Sequence, residues 1–235
     1  MNDFKSKLSN YWYHYKWHTL VALFFTVFIT VMIVQMASRG KEDISIMYAG
    51  PEIISDTQRD AIADVFEQIM PKDYDGNGNK SVDFMDIILL NHEQLKQAYA
   101  DGANQHFLNE GTIQNNKETL SVQARAGDYV IFIIGEEWYR DLYNGDSFLT
   151  FDEQAALGID ISHGERYDNC AYKLHSLEFA KFYTQFESFP EDSLVCIRRK
   201  SAVSAIKGAE KAQKHYDRHI EYFNALLSFT APTGE

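Results

Sequence analysis

The sequence predicts an α/β domain with a mixed, partly parallel sheet, carried behind a single N-terminal transmembrane helix. Three observations predict it. An uncharged apolar run lies near the N-terminus. Segments of alternating and of helical apolar period follow one another through the remainder. One of these, DYVIFIIG, holds an unbroken apolar core. Alternating strands and helices build largely parallel sheets, and a strand without polar positions is buried on both faces.

The apolar run comes first. Thr19 to Ala37 contains no charged side chain, and Gln35 is its most polar residue. A helix of that length rises about 28 Å, close to the hydrocarbon thickness of a bilayer. A cleaved signal peptide has a shorter core of roughly 7–15 residues and small residues at the cut site. Here Met36 stands where a small residue is preferred. No cysteine precedes Cys170, so a lipid-modified cysteine at the end of the run is excluded. A core helix of a soluble domain would be shorter and would carry a polar stripe.

Directly before the run stands YWYHYKWH. The rings of Tyr11, Trp12, Tyr13, Tyr15 and Trp17 have apolar bodies and polar tips, which suits the headgroup layer, and Lys16 can snorkel to phosphates. The competing use of this cluster is a contact with another membrane protein. Lys5, Lys7 and Lys16 precede the run, while Arg39 and Lys41 follow it. The Lys/Arg excess marks the cytoplasmic side. The organisation expected is therefore a cytoplasmic or interfacial segment 1–18, a membrane span 19–37, a linker 38–42 and an extracytoplasmic α/β domain 43–235 in a single-pass protein of the cell membrane.

Within the body, EDISIMYAGPE alternates and ends in Gly50-Pro51, a strand running into a turn. Ser55 with Gln58 three residues on forms a capping box, and Ile62, Val65, Phe66 and Ile69 continue at helical spacing, so a helix covers 56–70. SVDFMDIILL reads as a second strand and HEQLKQAYADGANQHFL as a helix interrupted near Gly102. DYVIFIIG is the firmest strand, and Glu136-Glu137 after it suit the positive end of a short helix. AYKLH and LVCIRR are further strands. Tyr216, Ile220, Phe223 and Leu227 form one face of a terminal helix.

Charge narrows the partners. The first 40 residues hold Lys5, Lys7, Lys16 and Arg39 against Asp3, so 18 of the 22 Lys and Arg fall in the body, beside 33 of the 34 Asp and Glu. An acidic body excludes nucleic acid, whose phosphates need Lys and Arg to neutralise them. The lipid bilayer is the expected partner of the N-terminal part, with a membrane protein or a small solute as further partners.

The string YWYHYKWHT before one apolar span, then YAGP and later DYDGNGNK, resembles a group of uncharacterised single-pass membrane proteins of Gram-positive anaerobes. That resemblance implies the same topology and brings no activity with it. The order of elements also resembles one lobe of a type II solute-binding protein, although the body is shorter than a complete two-lobed one.

Several residues are candidates for chemistry. In DYDGNGNKSVDF, Asp73, Asp75, Asn77, Gly78 and Asn79 match the first ligand positions of a calcium loop, where alternate oxygens converge on a hard cation and Gly makes the sharp turn. Lys80 and Phe84 depart from the pattern, and Asp83 is the substitute for the missing bidentate Glu. The competing reading is a helix-to-strand turn. Cys170 and Cys196, the only cysteines, are either bridged or two buried thiols. His215 and His219 lack the Glu that a metalloprotease helix needs and read as solvent-edge residues. Ser204-x-x-Lys207 lacks the companion motifs of its enzyme class. Open α/β sheets bind ligands at the carboxyl ends of their strands. This nominates Tyr48 and Gly50 after the first strand and Gly135, Glu136 and Trp138 after the third, with Tyr48 and Trp138 as aromatic walls. The function expected is a membrane-anchored extracytoplasmic binding or interaction domain, stabilised by calcium. The alternatives are an accessory subunit of a membrane transport or sensing complex and a surface hydrolase.

Overall fold

The computed structural model describes residues 2–38, 42–105, 108–143, 146–201 and 208–232. Arg39, Lys41 and the Ser204–Lys207 motif lie outside the described residues. The chain divides into two compact units, Met1–Lys41 and Glu42–Glu235.

The first unit is one helix, α1 (Asn2–Ser38), of 37 residues. Its rise of about 55 Å exceeds the ~30 Å apolar core of a bilayer by several turns. The stretch Tyr15–Met32 is long and apolar enough to cross a membrane. The aromatic segment 11–17 belongs to the same helix as the apolar run. Tyr11, Trp12, Tyr13, Tyr15 and Trp17 are all exposed. At about 100° per residue they point around most of the helix rather than along one stripe.

The second unit is an α/β domain. Its elements are β1 (Ile44–Gly50), α2 (Asp56–Ile69), β2 (Val82–Ile88), α3 (His92–Ala100), α4 (Glu110–Ala126), β3 (Ile131–Gly135), α5 (Glu136–Tyr143), α6 (Phe151–Ala156), β4 (Ala171–Lys173), α7 (Glu178–Phe182), β5 (Ser193–Ile197) and α8 (Ala209–Leu227). The sheet has the order β2-β1-β3-β5-β4. β1 pairs in parallel with both β2 and β3. β5 runs antiparallel to β3 and β4. The fully apolar β3 is central, as its sequence requires, but only its β1 side is parallel.

Side chains alternate across a strand, and this separates two core layers. Ile44, Ile46 and Tyr48 share one layer with Ile62, Val65, Phe66 and Ile69 of α2 and with Tyr216, Ile220, Phe223 and Leu227 of α8. Met47 and Ala49 point the other way, into a layer with Leu95 of α3, Ile113 and Leu120 of α4, and Trp138 and Tyr139 of α5. Each large apolar side chain buried in this way contributes about 1.5–3 kcal/mol. The topology explains the two layers. β1 steps to β2 on one side, and the chain then crosses back over β1 to reach β3. Same-handed crossovers in opposite directions set their helices on opposite faces.

Candidate functional site

Two regions of the domain were nominated by the sequence, and they lie at opposite ends of β1. The first is the Asp-rich turn between α2 and β2. The Asp73 carboxylate accepts backbone N–H groups from Asp75 at 3.1 Å, Gly76 at 2.8 Å and Gly78 at 2.7 Å. Asp75 accepts the Asn77 N–H, and the Asn77 side-chain oxygen accepts that of Asn79, both close bonds of 2.9 and 2.8 Å. Gly76 and Gly78 have φ of 78° and 93°, left-handed values that a side chain would strain. These N–H bonds, that of Gly78 foremost, hold the Asp73 carboxyl below the usual carboxylate range.

The turn is fastened to the sheet by a residue that sequence reasoning missed. Asp43, fully buried just before β1, accepts N–H bonds from Tyr74 at 3.0 Å, Asp75 at 2.9 Å and Ser81 at 3.2 Å. Burial pushes its carboxyl up, against the pull of those same bonds. One oxygen each from Asp43, Asp73 and Asp75 lie within 4.8 Å of one another. Calcium–oxygen bonds of about 2.3–2.6 Å allow ligand oxygens up to roughly 5 Å apart on one ion. The three oxygens are thus no farther apart than the ligands of one ion, while Asp43 and Asp73 already accept backbone N–H groups. Asp83 stands elsewhere: it lies in β2, and its carboxylate accepts the Tyr129 hydroxyl at 2.6 Å. Asn77 turns its amide toward Asp75, donating at 2.8 Å.

The second region is the carboxyl end of β1 and β3. In a 2-1-3 strand order the chain changes direction between β1 and β3, the place where such sheets bind ligands. Gly50 and Gly135 flank it, but the aromatic walls are closed. Tyr48 is fully buried, T-stacked on Phe189 at 4.8 Å, and its hydroxyl accepts the Glu52 N–H at 3.1 Å. Trp138 is only 5% exposed, and Lys117 covers its ring at 4.6 Å. Glu136 pairs with Arg140 one helical turn on. A Cβ on Gly50 would meet the Tyr48 hydroxyl at 2.5 Å. The Tyr48 and Trp138 rings are core, in layers on opposite faces of the sheet, and do not form the two walls of one pocket.

Open space lies one strand over. A groove of about 570 Å³ runs along the carboxyl ends of β1 and β2, lined by Pro51, Ile53, Leu90, Gln94, Gln97 and Ala98 among others. This volume is within the roughly 300–1,000 Å³ of small-molecule sites. Ile53 is 55% exposed there. Pro51 follows the recognised β1 turn, but Gln94 and Gln97 read in sequence only as helix surface.

One open alternative is resolved and one expectation is corrected. Cys170 and Cys196 are buried free thiols, not a bridge. They lie in the core layer that holds Tyr139, and burial pushes the Cys170 thiol up to about 11. His219 is not at the solvent edge. It is fully buried, its Nδ1 lies 2.7 Å from the His215 carbonyl, and its Nε2 accepts the Ser45 N–H at 2.9 Å. The β1–β3 ladder begins only at Ile46, so His219 satisfies the amide that the sheet leaves over.

No protein-family model, no curated protein and no solved structure matches this chain. Fold and geometry define its class: an apolar helix of membrane-spanning length followed by an open α/β domain with a groove at its strand ends.

Proposed function

We propose that the chain is a membrane-anchored extracytoplasmic binding domain that takes a small solute in the groove beside Ile53. The N-terminus is cytoplasmic on this reading, and the α/β domain stands outside, tethered by α1. The observation that carries it is the position of the groove. It opens at the carboxyl ends of the parallel strands β1 and β2, the edge at which α/β sheets carry their ligands, one strand over from the reversal of strand order. Its wall combines apolar Pro51, Ile53 and Leu90 with Gln94, Gln97 and Asp101; Gln94 accepts the Asn91 N–H and Gln97 donates to Asp101, so the polar share offered to a partly apolar solute is the rest of those groups. A concave site favours a solute over a flat protein partner. In the same proposal calcium has a structural role. Asp43, Asp73 and Asp75 would hold it, and it would neutralise three carboxylates and fix the 73–81 turn to β1.

The test is a thermal-shift screen of the full chain in detergent micelles against a broad panel of small solutes. A solute that raises the melting temperature of the wild type and leaves Ile53→Asp unmoved supports the proposal. Ile53 is exposed, so this variant keeps the fold. A panel without any response overturns the solute reading.

A further inference from the structure

A separate cavity of about 220 Å³ lies at the other end of the sheet. It is enclosed by the chain entering β3, the chain leaving β5 and the first turns of α8. Its side chains are largely basic. Arg198, Lys200, Lys211 and His215 face Asp128 as the one carboxylate of the wall, with Ser201 at the side. This concentration stands out on a domain whose acidic side chains greatly outnumber its basic ones.

Arg198 is the key residue. It is only 3% exposed. Its Nε donates to the Tyr129 carbonyl at 3.0 Å, Nη1 to that of Arg199 at 3.2 Å, and Nη2 to that of Gly127 at 2.9 Å. All three acceptors are neutral. Of the five N–H groups of a guanidinium, one on each terminal nitrogen is left over. No carboxylate hydrogen-bonds it among the described residues; the charge of Asp128, in the same wall, acts on it through space. Lys200 donates to the Gln213 amide oxygen, again a neutral partner. A buried cation without a directly bonded counter-charge is costly, and pairing with an anion removes much of that cost. Burial lowers the proton affinity of Arg198, an effect that a bound anion opposes.

We propose that this cavity binds a small oxyanion, of phosphate or carboxylate chemistry, on Arg198 and Lys200. The volume is below the roughly 300–1,000 Å³ of sites for drug-sized ligands and suits phosphate, sulfate or a short carboxylate with its waters. The planar guanidinium presents paired donors to such an anion. The site is distinct from the groove and does not rest on the solute reading.

The experiment is calorimetric titration of the full chain in detergent micelles with inorganic phosphate, sulfate and acetate, at ionic strength held constant with chloride. Saturable binding of at least one of these at a single site is expected. The double variant Lys200→Gln/Lys211→Gln should weaken it at least tenfold. Both lysines are exposed, so the double variant keeps the fold. Arg198→Met should abolish binding; if that variant does not fold, the lysine pair decides. Binding no stronger than chloride for all three anions, or a weakening of less than tenfold in the lysine pair, overturns the proposal.

Discussion

Replacing His219 by Leu should destabilise the domain and flatten its acid response. Leu fills the space but removes the acceptor of the Ser45 N–H, which then lies buried and unpaired in β1. Such a group costs about 1–3 kcal/mol. For a domain of this size each kcal/mol moves the melting temperature by about 2–4 °C, so a fall of roughly 2–12 °C is expected near pH 7.5. The pH dependence is the sharper readout. Burial foremost, then the charge of His215, holds the His219 imidazole well below its ordinary value. In the unfolded chain the ring binds a proton below about pH 6.5, whereas in the folded chain it does not. Its contribution is therefore complete above that pH and is lost as pH falls, at up to about 1.4 kcal/mol per pH unit. Asp43 and Glu52, whose carboxyls burial pushes up, act in the opposite direction and are common to both proteins. Denaturant melts of wild type and His219→Leu at pH 7.5, 6.5 and 5.5 isolate the histidine. Wild type should lose its advantage as pH falls. Equal stability at pH 7.5 together with parallel pH curves would refute the assignment of His219 as a neutral, buried acceptor.

Three other outcomes are expected. Gly50→Ala sets a methyl group against the buried Tyr48 hydroxyl and should cost about 1–3 kcal/mol by overpacking, measured by denaturant unfolding; a neutral result would mean the ring has room to move. Calcium should raise the melting temperature of the wild type, with chelator reversing it, and Asp75→Ala should remove the response; a calcium-indifferent wild type counts against the cation seat. Protease added to intact cells should remove the 43–235 domain, and digestion only after lysis would invert the topology.

The regular body of the fold was legible because it rests on period. β1, α2 and α8 came from apolar spacing, and β2, β3 and β5 from runs rich in apolar residues. α6 and α7 did not, since six and five residues are too few to display a stripe. The Thr150/Glu153 capping box was the available signal for α6. The site was less legible for two different reasons. Asp43 lies 30 positions from the turn it organises, and no local pattern joins them. Tyr48 and His219, by contrast, were readable. Tyr48 alternates with Ile44 and Ile46, so it had to face the same core. His219 is three residues after Tyr216 and four before Phe223, on the apolar face of α8. A polar residue on such a face is either wrong for the helix or has a partner inside, and here the partner is the Ser45 amide.

The Asp-rich turn, where calcium is proposed, and the groove hang from the two ends of one strand, and this makes their independence testable. Asp43 immediately precedes β1, and Pro51 immediately follows it. The eight steps from Asp43 to Pro51, at ~3.3 Å each, separate them by about 26 Å. β1 is paired on both edges by parallel neighbours and covered on both faces, so no second packing is available through which one end could inform the other. Sites this far apart without shared partners add within about 0.3–0.5 kcal/mol. Calcium should therefore change the affinity of any groove solute by no more than about twofold. A change well beyond that, measured by titrating the solute with and without calcium, would mean that β1 shifts as calcium binds. The buried packing of Tyr48 beneath the end of β1 would then be one of two states rather than a fixed part of the core.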